Sequence, residues 1–146
     1  MPDFESIALP LLDDLYRAAF ALLGSSAQAE QAVTAAIAEG KRRWDRSPCR
    51  RAWLFSILLR HTRALYVRTK GAGECTSDEL AALRELPFRQ AAAVLLTDAF
   101  ECDESELREA MGRGLRSPAA ELRVGRQRLA RGLSAEPAPR LGFVPG

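Results

Sequence analysis

Apolar residues recur every three or four positions along most of the chain, and this spacing constrains the fold more than any other feature of the sequence. Near the N-terminus it runs through Phe4, Ile7, Leu11, Leu15 and Ala18. No stretch alternates apolar and polar residues, and β-branched residues are few, so the sequence carries no strand signal. The pattern predicts an all-α protein.

Breaks in this pattern predict three helices in the first half of the chain. The first spans about residues 3–23, with a kink or a late start at Pro10, because proline lacks the N–H that a helix interior needs. Gly24 and the two following serines end it and cap a second helix that runs to about Trp44. A third helix covers about residues 50–68. His61 lies on its apolar stripe and is expected to belong to the core or its boundary.

The stretch "TKGAGECTSD" is small and polar with two glycines, and it is the clearest linker. Beyond it, Ser77 predicts the cap of a short helix, and Pro87 predicts the start of the next one. Asp103 with Glu106 three residues later has the spacing of a capping box. Ser117-Pro118 predicts the cap and first position of a final helix. The sequence therefore predicts two small helical domains, with three helices in residues 1–70, a linker at 71–77, four helices in 78–133, and a flexible proline-rich tail at 134–146.

The net charge of +2 conceals four blocks of alternating sign. Residues 1–40 carry a net charge of −5, residues 41–70 carry +9, residues 71–109 carry −7 and residues 110–133 carry +5. Two separate basic blocks favour two contacts with one anionic partner. Segregated charge of this kind also arises on a solvated surface without function.

Several classes of protein are not expected from this composition. One histidine and three widely spaced cysteines, Cys49, Cys75 and Cys102, argue against a metal site and favour a reducing compartment. We expect no cofactor and no catalysis, because no base lies near a nucleophile and no phosphate-binding glycine loop is present. The acidic N-terminus is unlike a secretory signal, and no apolar run is long enough for a membrane helix. A cytoplasmic bacterial protein without membrane contact is therefore expected.

The final predicted helix, "SPAAELRVGRQRLARGL", is loaded with arginine and follows a short helix and a glycine-containing turn, as in a helix-turn-helix. Leu122, Leu129 and Leu133 form its apolar stripe, and Arg128 and Arg131 are predicted to project nearly opposite. The helix is a candidate for entry into a DNA groove. The alternative is a solvated helix whose arginines lie near its C-terminus, where the helix dipole favours cations.

Two tracts resemble the extracytoplasmic-function sigma factors of the sigma-70 class. "LRELPFRQAAAVLL", "SELREAMGRGLRS" and "LRVGRQRLARGL" are similar to their region 4, and "LYRAAFALLGSSAQAEQAV" and "RRAWLFSILLRHTRALYVR" to their region 2. The resemblance spans roughly residues 4–133 in the family's order. It implies a factor that directs transcription initiation, with core RNA polymerase, promoter DNA and an anti-sigma protein as partners.

The resemblance also implies roles for individual residues. Polymerase contact falls on Glu30, Gln31 and Thr34 of the second helix. Contact with the −10 element falls on the third helix and the residues after it. Trp53 is the candidate for a place near unpaired bases, although a core anchor is the favoured role for both tryptophans. Four basic residues would follow the DNA backbone or form a solvated face, Arg60, Arg63, Arg68 and Lys70. In the final helix Arg123 and Arg126 would read bases and Arg128 and Arg131 would contact the DNA backbone, together with Arg113 and Arg116 in the preceding turn. Glu121, an acid near the start of this helix, would repel phosphate.

This chain departs from the family pattern at several of these positions. Glu30-Gln31 and Thr34 replace the usual acidic residues and glutamine, Arg60 and Ala64 replace an asparagine and an aspartate, and Ala119-Ala120 replace a Thr-Val pair. Fold is little affected, because the apolar positions are kept. The alternative is therefore a degenerate sigma-like module that binds an anti-sigma partner without promoter activity.

Overall fold

The computed structural model describes residues 3–44, 50–67, 77–112, 114 and 116–135. Over these residues the chain is α-helical and contains no strand, which confirms the all-α prediction. The residues outside this set are 1–2, 45–49, 68–76, 113, 115 and 136–146.

The predicted kink at Pro10 is present as a break between two helices. Helix α1 spans Phe4–Ala8, a single 3₁₀ turn covers Leu9–Leu11, and α2 spans Leu12–Leu23. The 3₁₀ turn tolerates the missing N–H of Pro10 at its second position. Gly24 then ends α2 in the left-handed conformation, with φ of 70°.

Helices α3 and α4 complete the N-terminal part. Helix α3 spans Ser26–Arg43, and its first turn is capped by Ser25, whose Oγ accepts a hydrogen bond from the Gln28 N–H at 3.2 Å. Helix α4 spans Arg51–Leu65, three residues shorter at its C-terminus than the sequence predicts. The backbone turns at Tyr66, whose φ and ψ are −71° and 129°.

In the described residues after the linker the chain forms four helices, as predicted. Helix α5 spans Asp78–Leu83, α6 spans Phe88–Asp98, α7 spans Glu104–Met111 and α8 spans Pro118–Ala135. Ser77 caps α5, Asp103 and Glu106 form the capping box of α7, and Ser117 Oγ accepts a hydrogen bond from the Ala120 N–H at 3.2 Å. Pro87 is the residue before α6 rather than its first position.

The buried apolar side chains form one cluster to which helices on both sides of the linker contribute. The Phe55 ring of α4 meets the Phe100 ring edge-on, with centroids 5.4 Å apart. Arg51, at the start of α4, donates from Nη2 to the Phe100 carbonyl at 2.8 Å. The buried Cys102 thiol lies beside this contact, and burial raises its pKa. Cys49 and Cys75 lie outside the described residues.

Arg84 ties the C-terminal helices to α2. It is 1% exposed, and its guanidinium donates to the carbonyls of Ala21 at 2.9 Å and Phe20 at 3.2 Å, at the C-terminal end of α2. Burial lowers the pKa of this guanidinium. The Tyr66 hydroxyl makes a second link across the linker and donates to the Leu86 carbonyl at 2.6 Å. The division into two folding domains stays a prediction.

Candidate nucleic-acid interface

Helix α7, the turn after it and α8 are held in place by one arginine of α6. Arg89 donates from Nη1 to the Met111 carbonyl at 3.2 Å and from Nη2 to the Arg116 carbonyl at 3.3 Å, so it satisfies carbonyls on both sides of the turn. A Cβ at Gly114 would lie 2.6 Å from the Arg89 Cζ, so a side chain at this position would displace the Arg89 guanidinium from its present place.

Glu121 is the ionic partner of Arg89. The Arg89 Nε lies 3.3 Å from Glu121 Oε2, and because its N–H does not point at a hydrogen-bond acceptor, the contact is an ion pair rather than a hydrogen bond. Glu121 is 8% exposed and lies in the first turn of α8, where the helix dipole favours an anion. The expected repulsion of phosphate by Glu121 is reduced, because this carboxylate faces α6 and is neutralised there.

Helix α8 crosses α6 at Gly125, and this crossing determines which α8 residues face outward. A Cβ at Gly125 would lie 2.9 Å from Val94 Cγ2 and 3.1 Å from the Gln90 carbonyl oxygen. At about 100° per residue, Arg123 and Gln127 lie roughly 160° to either side of Gly125 and so point away from α6. Both are exposed, and Arg131 farther along is exposed as well.

The two remaining arginines of α8 lie on its flanks and contact α6. Arg126 pairs with Asp98 at the end of α6, with its Nε 3.4 Å from Oδ2 and its Nη2 donating to Oδ1. This hydrogen bond raises the pKa of Arg126. Arg128 donates from Nη1 to Gln90 Oε1 at 3.1 Å. Arg128 therefore does not project opposite the apolar stripe as the sequence predicts, because the buried side of α8 is centred on Gly125 rather than on its leucines.

The outward face of α8 thus presents Arg123 and Gln127 one turn apart, and within the described residues Arg123 has no hydrogen-bond or ionic partner. Arg116, at the turn, is also exposed. Gln127 was not among the residues that the sequence pointed to. The sequence shows that Gln127 is polar but not that it points outward. Its orientation follows from the close approach of α8 to α6 at Gly125, whereas the leucine stripe indicates a different buried side.

On α4, the predicted nucleic-acid residues have different surroundings. Trp53 is half-buried against the core, and Arg63 is exposed, with its Cζ 5.9 Å from the centroid of the Phe88 ring. Arg60 donates from Nη2 to Glu39 of α3. Ala64 is exposed.

Glu39 gathers three basic side chains between α3 and α4. His61 Nε2 lies 2.8 Å from its Oε1, Arg43 Nη1 lies 2.9 Å from its Oε2, and Arg60 completes the set. The His61 hydrogen bond, with those of Arg43 and Arg60, lowers the pKa of Glu39 to about 2. His61 is thus a half-buried boundary residue, in agreement with the sequence.

Glu30, Gln31 and Thr34, the predicted polymerase contacts, are all exposed along one side of α3. Among the described residues none of these side chains has a hydrogen-bond or ionic partner. The remaining predicted site residues, Arg68, Lys70 and Arg113, lie outside the described residues.

The fold is similar to that of a known transcription factor. It superposes with a TM-score of 0.68 on the sigma factor RpoE from Bartonella quintana, solved in complex with the anti-sigma factor NepR. The match covers 91% of this chain and 98% of that chain at 18% sequence identity, so the likeness concerns the fold. No protein-family model matches the sequence, and no curated protein matches it significantly. The chain thus has a sigma-factor-like fold.

Within the described part of the chain, no helix has both the length and the apolar character needed to cross a bilayer. The described residues also bring together no group of three histidine, cysteine or acidic side chains that could hold a metal ion.

Proposed function

We propose that this chain is a sigma-type transcription factor of the extracytoplasmic-function kind, in which α7, the turn and α8 form a helix-turn-helix that binds duplex DNA. The observation that carries the proposal is the outward face of α8. Arg123 and Gln127 are exposed there one turn apart, and Arg89 and Glu121 fix the helix against its supporting elements. Guanidinium and amide groups are the side chains that pair in a bidentate way with guanine and adenine.

In this proposal α3 contacts core RNA polymerase and α4 lies near the −10 element. Glu30, Gln31 and Thr34 are free to meet a partner, which supports the assignment of α3. The −35 element is read by Arg123 and Gln127, while Arg116 and Arg131 contact its backbone. The protein needs no cofactor and acts in the cytoplasm, and an anti-sigma protein is its regulatory partner.

The test uses the full chain with core polymerase and a library of promoter fragments. We expect the chain to co-elute with core polymerase and to start transcripts from a subset of the fragments. Arg123→Ala should cost on the order of 1–3 kcal/mol of binding free energy on the selected promoters and little on other DNA. Absence of both co-elution and transcripts would contradict the proposal.

A second candidate function is a sigma-like module that binds an anti-sigma protein and never meets a promoter. It is favoured by the surroundings of α4, where Arg60 is bound to Glu39 and Trp53 packs against the core. This candidate predicts tight binding to a small helical partner in the absence of core polymerase, and no transcripts. The same co-elution experiment therefore separates the two.

A further inference from the structure

The side of α8 that points away from α6 carries one line of three side chains. At about 100° per residue, Ala120, Arg123 and Gln127 all lie within roughly 40° of the direction opposite Gly125. Arg123 and Gln127 are exposed, and Ala120 is half-buried. Because α8 meets α6 most closely at Gly125, this line is the part of the helix that lies farthest from α6.

The polar side chains beside this line are already bound to other helices or lie beyond it. Three of them bind side chains of α6, namely Glu121, Arg126 and Arg128. Within the described residues, neither Arg123 nor Gln127 has a hydrogen-bond or ionic partner. Arg131 is exposed as well, but it lies one turn closer to the C-terminus, whereas the N-terminal part of a recognition helix contacts base edges. Arg123 and Gln127 can therefore bind a base without first breaking a contact.

The length of the line matches a short run of base pairs. Ala120 and Gln127 are about 10 Å apart along the helix axis, at 1.5 Å per residue. This distance is close to three steps of B-DNA at roughly 3.4 Å each. Arg123 lies between them, so each of the three side chains can face a different base pair.

The three side chains differ in the base chemistry that they can recognise. The guanidinium of Arg123 can donate two hydrogen bonds to O6 and N7 of guanine, and the amide of Gln127 can form two with N6 and N7 of adenine. The side chain of Ala120 has no hydrogen-bonding group, so it can make only an apolar contact, such as one with the C5 methyl group of thymine. A cytosine that is methylated at C5 presents a methyl group at the same place in the major groove. Ala120 therefore recognises the methyl group rather than the base that carries it.

We infer that α8 reads a C5-methylated pyrimidine, a guanine and an adenine, in this order along the helix, through Ala120, Arg123 and Gln127. The inference deepens the proposed function and rests on it only for the entry of α8 into the major groove. It has one consequence for regulation. Methylation of a cytosine at the first position increases the affinity of the chain for that site.

The first measurement selects duplexes from a randomised library with the full chain and then replaces single bases of the selected sequence. The analogues 7-deazaguanine and 7-deazaadenine lack the N7 acceptor, and each should weaken binding by the wild-type protein about three- to tenfold. The guanine analogue should have no further effect on Arg123→Ala, and the adenine analogue none on Gln127→Ala. Arg131→Ala removes an exposed arginine of the same helix outside the line. This control should weaken binding to all duplexes alike and leave both analogue effects unchanged.

The second measurement compares pyrimidines with and without the methyl group at the first position of the selected sequence. Uracil should bind more weakly than thymine, and cytosine more weakly than 5-methylcytosine, by about two- to fourfold in each pair. Both differences should disappear in Ala120→Gly. Each comparison is made within one variant, so a change in helix stability in Ala120→Gly does not affect it. Equal binding within each pair by the wild-type protein would overturn the methyl contact.

The outcomes separate this base readout from the proposed function. If the chain starts transcripts with core polymerase but the analogues weaken the wild type and the matched variants equally, the readout is wrong and the function stands. If each analogue acts only through its matched residue while the chain neither co-elutes with core polymerase nor starts transcripts, the readout stands and the initiation function is overturned. If the chain binds no duplex with or without core polymerase, both are overturned.

Discussion

The arginines of α8 look equivalent in the sequence, but their side chains have different partners. Arg126 is bound to Asp98, and Arg128 to Gln90, whereas Arg123 has no described partner. An arginine that is already paired must break that contact before it binds phosphate or a base, so part of its binding energy is lost. If α8 enters a DNA groove as proposed, base reading falls chiefly on Arg123, because Arg126 is restrained in the free protein.

We predict that Asp98→Asn increases affinity for duplex DNA. The change removes a negative charge from the flank of α8 and releases the Arg126 guanidinium, and each effect favours a polyanion. The gain should be largest at low salt, and it should be clearly smaller in an Arg126→Ala background, where only the loss of the Asp98 charge remains. Fluorescence anisotropy with labelled duplex measures it. Glu79→Gln removes the same charge from the exposed start of α5 and serves as control. Equal or weaker binding by Asp98→Asn would contradict the restraint.

At Glu39 we predict a stability effect that depends on pH. Its folded-state pKa of about 2 lies below its ordinary value of 4.5, so its contribution is fully present above pH 4.5 and is lost as the pH falls toward 2. The unfolding free energies of wild type and Glu39→Gln should therefore converge over this window. Urea unfolding at a series of pH values measures the difference. A difference that stays constant down to the lowest pH would show that the cluster around Glu39 does not form.

At the scale of the element, most helix ends and most apolar stripes could be predicted, whereas the buried side of α8 could not. The side chains of the capping residues Ser77, Asp103 and Ser117 accept hydrogen bonds from N–H groups three residues away. These interactions are local, so the helix starts can be predicted from the sequence. The pairing of Glu121 with Arg89 joins residues 32 positions apart and needs the tertiary fold. The sequence did offer one signal. Glu121 lies shortly after a capped helix start, where the helix dipole favours an anion, and this position is compatible with a buried carboxylate.

The same substitution at two glycines of α8 should have opposite effects. Gly132→Ala has no heavy atom within 4 Å of the new Cβ, so it should raise the free energy of unfolding by up to about 1 kcal/mol through helix propensity. Gly125→Ala places its Cβ against Val94 and the Gln90 backbone, and it should lower that free energy by about 1–3 kcal/mol. Thermal unfolding of the two variants compares them directly. Stabilisation by Gly125→Ala would rule out the close crossing of α6 and α8.

At the scale of the whole molecule, the sequence predicts two domains, whereas the apolar core of the described residues is continuous across the linker. The linker could be predicted because its composition is a property of one short stretch of the sequence. The docking of the two parts depends on Arg84, which the sequence presents as one more surface charge, and on the complementary shapes of Phe55 and Phe100. A factor that contacts two separated promoter elements with these two parts would have to break such contacts.

We predict that Arg84→Met lowers the free energy of unfolding by about 1–3 kcal/mol, because it leaves the Ala21 carbonyl without its donor, whereas the Phe20 carbonyl keeps the Gly24 N–H. Arg84→Lys keeps the positive charge but not the planar guanidinium with its several N–H donors, and it should lower the free energy of unfolding by less. Both tryptophans, Trp44 and Trp53, precede the linker, so fluorescence reports on the N-terminal helices while far-ultraviolet circular dichroism reports on all of them. In wild-type protein the two urea transitions should coincide. Separate transitions would show that the parts unfold independently.

The contacts of Tyr66 and Arg84 also determine whether the two halves of the protein need an unbroken peptide chain to stay associated. Both residues bind partners across the segment between residues 67 and 77, so the two halves are held by side-chain contacts as well as by peptide bonds. Tethering then acts mainly by raising the local concentration of one half around the other. Two separately produced pieces, one ending at Val67 and one beginning at Ser77, should therefore reassemble into the native fold when mixed, so the protein is suited to use as a split reporter.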